Sequence, residues 1–171
     1  MKNSFLIIIF VLLLNSKSFA ENVSIQAKNI TLDKDNQISI FENDVIVTTE
    51  EGNEFKCNYV EYNRQTGVLK LRENVVVKDK RNNLIETQYA EYNEKSKIFK
   101  STGATKVITT ELYKIDAEDI LIDNNQSIII SEKKATIQDR EDNKIFIENF
   151  EYQSENNIFK SVGKIQISDK K

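Results

Sequence analysis

The side chains that could do chemistry in this 171-residue sequence are few, and their types exclude most catalytic mechanisms. The chain has no histidine, which excludes Ser-His-Asp and Cys-His catalysis, histidine metal ligands and a histidine pH switch. Its one cysteine, Cys57, allows no internal disulfide and no thiolate zinc cluster. Four glycines give little support to a glycine-rich nucleotide-binding loop. The sequence therefore predicts neither an enzyme nor a metal or cofactor site.

The polar groups that remain recur at intervals of thirty residues, and a set of positions spaced in this way is called here a column. Strand and turn positions explain these columns better than chemistry. Solvated charges on the outer side of strands account for the carboxylates Glu61, Glu91 and Glu151. A column at a recurrent turn holds Asp33, Asn63, Asn93 and Asp123, and turn hydrogen bonding explains it better than metal binding. Cys57 shares its column with Ala27, Thr87, Ala117 and Ile147, which predicts a small inward-facing hydrophobe. A disulfide to another chain or to a further domain is the alternative for Cys57.

Residues 1–20 have the pattern of a secretory signal peptide that is cleaved after Ala20. Lys2 precedes an apolar run from Phe5 to Leu14, and a small-x-small end follows at Ser18 and Ala20. An uncleaved anchor fits less well, because about 20 apolar residues are needed to span a bilayer. Cleavage would change 24 basic and 27 acidic residues to 22 and 27, a net charge of −5. That charge disfavours nucleic acid and anionic lipid surfaces as partners of residues 21–171.

Residues 21–171 are organised by an in-phase thirty-residue repeat, which positions the columns described above. Each thirty-residue repeat is called here a row, and the five rows stay in register without insertion or deletion. The apolar columns are Ile25, Phe55, Ile85, Ile115, Ile145; Ile30, Val60, Ala90, Ile120, Phe150; Leu32, Tyr62, Tyr92, Ile122, Tyr152; Ile38, Val68, Ile98, Ile128, Ile158; Val45, Val75, Thr105, Ala135, Ile165; and Val47, Val77, Val107, Ile137, Ile167.

Within each row the apolar spacing is two, which predicts β-strands with one apolar face. The positions of Ile25 and Ile30 are out of step by one residue in every row, as a β-bulge would produce. Gly103 and Gly163 lie where a strand would bend. Polar turns then give two strands per row and about ten strands in all, with no helix after residue 20. The strands could form a flattened roll of two facing sheets or a solenoid of stacked coils.

The repeat pattern resembles the periplasmic lipopolysaccharide-transport family known as LptA or OstA-like, over about residues 22–170. The segments that carry the resemblance are Ile25–Asp33, Phe41–Val47, Leu71–Val77 and Phe99–Val107. The pattern departs from the family at Asn43-Asp44 and Glu73-Asn74, where glycine is usual, and this leaves the local bend geometry open.

The resemblance implies a bent antiparallel β-jellyroll, or β-taco, built from five two-strand repeats and working in lipopolysaccharide transport. The implied partners are lipopolysaccharide and other transport proteins in the inner-membrane complex and outer-membrane translocon, joined end to end through edge strands. Head-to-tail self-association is also implied. The expected location is the periplasm, and association with the outer membrane is the alternative. A soluble bridge is favoured over the N-terminal domain of the LptD translocon.

The apolar columns are the candidate lipid-binding groove, and no catalytic residue is needed for that role. Tyr62, Tyr92 and Tyr152 are expected near its mouth, because their hydroxyl groups need polar partners. A structural or adhesive β-repeat protein with a dry interior is the alternative function. The predicted groove residues are Ile38, Val47, Phe55, Val60, Tyr62, Val77, Ile85, Tyr92, Phe99, Val107, Ile115, Ile122, Ile128, Ile137, Ile147, Tyr152 and Ile167.

Overall fold

The computed structural model describes residues 23–169 as an all-β antiparallel fold, which confirms the predicted fold class. The signal peptide predicted over residues 1–20 lies outside this range. Across residues 23–169 no helix is long and apolar enough to cross a membrane.

The strands follow one another in a meander, so each pairs mainly with its neighbours in sequence. Their bounds are β1 Val23–Gln26, β2 Asn29–Asp33, β3 Ile38–Thr49, β4 Glu54–Asn63, β5 Val68–Lys78, β6 Leu84–Asn93, β7 Ile98–Ile108, β8 Lys114–Glu118, β9 Leu121–Asp123, β10 Ile128–Ser131, β11 Ala135–Gln138, β12 Lys144–Ile147, β13 Phe150–Gln153, β14 Ile158–Lys160 and β15 Ile165–Ser168. These described strands number more than the predicted ten, because five of the ten are each interrupted once, at the bend.

The bend is built by the predicted phase slip and by residues with left-handed backbone. The register shifts between Lys56 and Tyr59 in the pairing of β4 with β5, and between Thr87 and Tyr89 in that of β6 with β7. Gly103 has φ 80°, as its predicted bend requires. The glycine-free rows bend too, through pairs of residues at positive φ. These are Asn43 (66°) with Asp44 (52°), and Glu73 (66°) with Asn74 (56°).

The bend divides the fold into two facing layers, of which one is called here the upper layer and the other the lower layer. The long strands β3–β7 run through the bend and belong to both. The upper layer adds β1, β8, β11, β12 and β15, and its turns are at residues 50–53, 79–83, 109–113 and 139–143. The lower layer adds β2, β9, β10, β13 and β14, and its turns are at residues 33–37, 63–67, 93–97, 123–127 and 153–157.

The core lies between the layers and forms a continuous apolar strip, called here the seam. Buried and exposed residues alternate along the strands in the middle of the sheet, as in β5, where Leu69, Leu71, Val75 and Val77 are all buried. The phase slip keeps residues on both sides of the bend pointing inward. In β4, for example, both Phe55 and Val60 are buried.

Candidate functional site

Most of the predicted groove residues lie inside the seam. Tyr62 is half-buried at its edge, and Ile167 is 65% exposed on β15. The buried members are Val47, Phe55, Val60, Val77, Ile85, Tyr92, Phe99, Val107, Ile115, Ile122, Ile137, Ile147 and Tyr152.

The structure places two of the predicted groove residues, Ile38 and Ile128, on the outer face instead. Both are half-buried, and the side chain next along the strand points inward in each case: Ser39 is 2% exposed and Ile129 is 2% exposed. Since adjacent strand residues point to opposite faces, only one of two neighbouring columns can line the seam. The column that lines the seam is therefore the one that contains Phe99. Of this column, only Phe99 is among the groove residues predicted from the sequence.

The middle of the seam is filled by the protein's own aromatic side chains. The rings of Phe55 in the upper layer and Tyr92 in the lower layer lie 5.0 Å apart between centroids. Phe55 also stacks on Phe99 at 6.4 Å. Toward the C-terminal rows, Phe159 packs against Tyr113 at 5.3 Å and Tyr152 at 4.3 Å. These contacts join the two layers and leave the seam closed along its middle.

The hydroxyl groups of Tyr62, Tyr92 and Tyr152 reach the polar turns. Tyr62 Oη donates to Glu94 Oε1 at 2.9 Å, and Tyr152 Oη donates to Asn157 Oδ1 at 2.9 Å. Tyr92 Oη lies 3.5 Å from Glu51 Oε2, a residue of the opposite layer. Burial is the main cause that raises the pKa of Tyr92. Tyr92 thus has its ring in the seam and its hydroxyl group at the edge where the turns of the two layers meet, called here the mouth.

Charged groups bridge the mouth at Glu51 and Lys97. Glu51 belongs to an upper turn and forms an ion pair with Lys97 of a lower turn. Their side chains are 25% and 22% exposed, so the pair is largely shielded from water. Partial burial alone raises the pKa of Glu51, but the hydrogen bond from Lys97 and smaller contributions outweigh it, and the pKa lies below its ordinary value of 4.5.

A second bridge across the mouth is centred on Arg81, in the next upper turn. Arg81 Nη2 donates to Glu155 Oε1 at 2.6 Å and to Ser127 Oγ at 2.7 Å, and Nη1 donates to Ser154 Oγ at 3.2 Å. Ser127 Oγ also donates to Glu155 Oε1 at 3.1 Å. The hydrogen bond from Ser127 and the pairing with Arg81 lower the pKa of Glu155. One guanidinium group therefore holds two separate lower turns.

These contacts show that the layers are staggered. The upper turn at 50–53 meets the third lower turn, at 93–97, and the upper turn at 79–83 meets the fourth and fifth. The first two lower turns lie before this region of contact. Accordingly, the inner face of β2 is open at the N-terminal end, where Ile30 is 57% exposed and Leu32 is 52% exposed.

At its C-terminal end, the seam is open on the upper layer. Ile165 and Ile167 continue the inner columns of the upper layer into β15, where they are 51% and 65% exposed. Their equivalents one row earlier, Ala135 and Ile137, are 5% and 2% exposed. The seam is thus covered in the middle and uncovered at each end, on opposite layers.

The structure gives the other polar columns ordinary roles. Glu61 and Glu151 pair on the outer face with Lys70 (3.0 Å) and Lys160 (3.3 Å), and Glu91 is exposed there. In the Asp/Asn column, side-chain oxygens accept from backbone N–H groups of their own turns, as predicted. Within residues 23–169, no group of three or more Cys, Asp or Glu side chains is placed to hold a metal ion.

Cys57 is buried on the inner face, as predicted for a small hydrophobe. It is 6% exposed, and its Sγ lies 3.4 Å from the carbonyl oxygen of Tyr59. Burial raises the pKa of this thiol to about 11. The thiol is therefore protonated and unreactive near neutral pH.

The residues that sequence reasoning missed are those that close the mouth: Glu51, Lys97, Arg81 and Glu155. In the sequence they are ordinary charged turn residues. Their pairing depends on the stagger of the layers, and no column or spacing in the repeat signals it.

No family model matches the chain, and no curated protein matches it. Among solved structures, the chain is similar to LptH of Pseudomonas aeruginosa, the LptA-homologous periplasmic component of a lipopolysaccharide transport device. The identity is 13%, the TM-score is 0.37, and the match covers 87% of this chain and 95% of that one. The TCP10 domain of Danio rerio CPAP matches at 8% identity and a TM-score of 0.18, over 86% and 93% of the two chains.

Proposed function

We propose that this protein shelters the acyl chains of lipopolysaccharide in the periplasm, as part of a bridge from the inner to the outer membrane. The observation that carries the proposal is the one-sided apolar seam, which continues past its covered middle to exposed residues at both ends, Ile30 and Leu32 on β2 and Ile165 and Ile167 on β15. An acyl chain in such a seam gains roughly 0.8 kcal/mol per buried CH₂. The resemblance of the repeat pattern to lipopolysaccharide-transport proteins supports the choice of lipid.

The same open ends support end-to-end joining with other members of such a bridge. Edge strands present unpaired N–H and C=O groups that a further strand can use. The chain contains no proline, so no residue of these edges lacks its backbone donor. The proposed partners are further copies of this chain, an inner-membrane complex and an outer-membrane translocon.

A structural β-repeat protein is the second candidate, and the packed middle of the seam favours it. Tyr92 is 0% exposed and Phe55 is 2% exposed, so no acyl chain fits there without displacing side chains. The two functions differ in whether lipid ever reaches these residues. Contact between lipid and the inner face is therefore the property to measure.

Photo-crosslinking in cells makes that measurement. A benzophenone amino acid at Phe99, on the inner face of β7, is expected to form an adduct with lipopolysaccharide. The matched control is Lys100, the next residue on the same strand, which is exposed on the outer face. An adduct at position 99 and not at position 100 supports the lipid function. Absence of lipid adducts at Phe99, Tyr62 and Ile122 alike would favour the structural repeat.

A further inference from the structure

The two sides of the seam are held in different ways. At the bend, the long strands β3–β7 run without interruption from one layer to the other. At the mouth, the layers meet through side chains of separate turns, including the Glu51–Lys97 pair and the contacts of Arg81. If the layers part, the bend therefore acts as the hinge and the mouth is the side that opens.

We propose that the Glu51–Lys97 pair, together with Arg81 and its partners Ser127, Ser154 and Glu155, forms a clasp that controls sideways entry into the seam. An acyl chain enters the middle of the seam only when the clasp opens. This inference rests on the proposed function, because it names the route by which the sheltered lipid reaches the inner face.

The position of the clasp ties it to the aromatic side chains beneath it. Tyr92 Oη contacts Glu51, and the ring of Tyr92 packs on Phe55 of the upper layer. When Glu51 separates from Lys97, Tyr92 loses a polar partner in the opposite layer. The side chains that fill the seam are then free to separate, which makes room for an acyl chain where the closed seam has none.

The strength of the clasp suits reversible opening. Glu155 is 62% exposed, and water and salt screen such a pair, so that it contributes little on its own. The Glu51–Lys97 pair is more shielded, at 25% and 22% exposure. Two pairs of this kind hold a mouth closed without locking it. Their charge also predicts that added salt speeds opening.

The clasp can be tested with purified protein and two probes, fluorescently labelled lipopolysaccharide and the apolar dye N-phenyl-1-naphthylamine. The double variant Glu51→Gln/Glu155→Gln removes both carboxylates of the clasp. The matched control, Glu61→Gln/Glu151→Gln, removes two carboxylates that pair with lysines on the outer face. The clasp variant is expected to take up each probe faster, by up to about fivefold for each pair lost, and without the salt dependence of the unmodified protein. The outer-face control is expected to match the unmodified protein.

A reversible lock provides the second arm. Glu51→Cys/Lys97→Cys is joined by a cleavable bismaleimide in a Cys57→Ala background, because alanine already stands in that column at Ala27 and Ala117. The lock is expected to abolish uptake, and cleaving the linker to restore it. Uptake at an undiminished rate in the locked protein would overturn the clasp and show entry through the open ends. Equal rates in the clasp variant and the unmodified protein would overturn it as well.

The two probes separate the clasp from the proposed function. If the dye follows the expected pattern and lipopolysaccharide binds to none of the variants, the clasp stands as a gate and the lipopolysaccharide function fails. If lipopolysaccharide enters the locked protein and crosslinks at Phe99, the lipid function stands and the clasp fails.

Discussion

Arg81 reaches across the mouth of the seam to Glu155, which lies 74 residues further along the chain, with 2.6 Å between Nη2 and Oε1. The same nitrogen donates to Ser127, so one side chain ties an upper turn to two lower turns. This relationship is a consequence of the stagger between the layers. The stagger in turn leaves β2 uncovered at one end of the seam and β15 at the other.

Replacing Arg81 is expected to destabilise the fold moderately. Arg81→Gln removes the charge-assisted hydrogen bonds to Glu155, Ser127 and Ser154, and about 1–2 kcal/mol of unfolding free energy should be lost. Urea denaturation measures the change. Arg140→Gln is the control, because Arg140 contacts Glu111, and both residues belong to turns of the upper layer. Equal losses for the two variants would contradict a special role for Arg81.

Stability should fall in acid partly through Glu51. Its pKa is lowered in the folded state, so its contribution is complete above the ordinary value of 4.5 and disappears as pH falls through the lowered folded value. The charged or titratable groups facing Glu51 are Lys97 and Tyr92. Urea midpoints at neutral and acid pH should therefore differ less for Glu51→Gln than for the unmodified protein. An identical difference in both would argue against the ion pair.

The bend predicts opposite effects for two substitutions. Gly103 has φ 80° and open space where a Cβ would lie, so Gly103→Ala should cost about 1 kcal/mol through backbone strain alone. Glu73, at φ 66° in the equivalent bend, is exposed. Glu73→Gly should therefore leave stability unchanged or raise it by up to about 1 kcal/mol. Thermal unfolding of the two variants checks the signs, and a loss in both would contradict the assigned strain.

The exposed residues of β2 should matter for association and little for folding. Ile30→Ser/Leu32→Ser changes side chains that are 57% and 52% exposed, so monomer stability should move by about 0.5 kcal/mol or less. The self-association of this variant, measured as the dependence of its sedimentation on protein concentration, should be weaker than that of the unmodified protein. Leu112→Ser provides the control, since Leu112 is 56% exposed in a turn away from β2. Equal association of both variants, or none in the unmodified protein, would contradict end-to-end joining of copies.

The sequence predicts the repeat, the strands and the bend well because each depends on local order. The period of two, the phase slip and the Asp/Asn turns are short-range properties, and the structure confirms all three. The glycine-free bends are harder to predict. Asn43, Asp44 and Asn74 tolerate left-handed backbone better than most residues, but Glu73 does not, and it adopts φ 66° all the same.

The inner face is harder to assign where the repeat is ambiguous. Ile128, Ile129 and Ile130 are all apolar, so the alternation of apolar and polar residues does not show which of them face inward. In the first row the inward position is occupied by the polar residue Ser39, so the inner column is not recognisable there. The pairs of the clasp are harder still to predict from the sequence. They join different turn columns at separations set by the crossing of the two layers, and that crossing depends on the accumulated twist of the whole sheet.

The two overhangs have a consequence for symmetry. At one end the lower layer extends past the upper, and at the other end the upper layer extends past the lower. Two identical ends brought together would place like layers face to face, whereas unlike ends complete each other. Contacts that cover both ends are thus heterologous, and they repeat in one direction without closing on themselves. Any filament built this way is polar, and only a partner that offers a single matching overhang can terminate it.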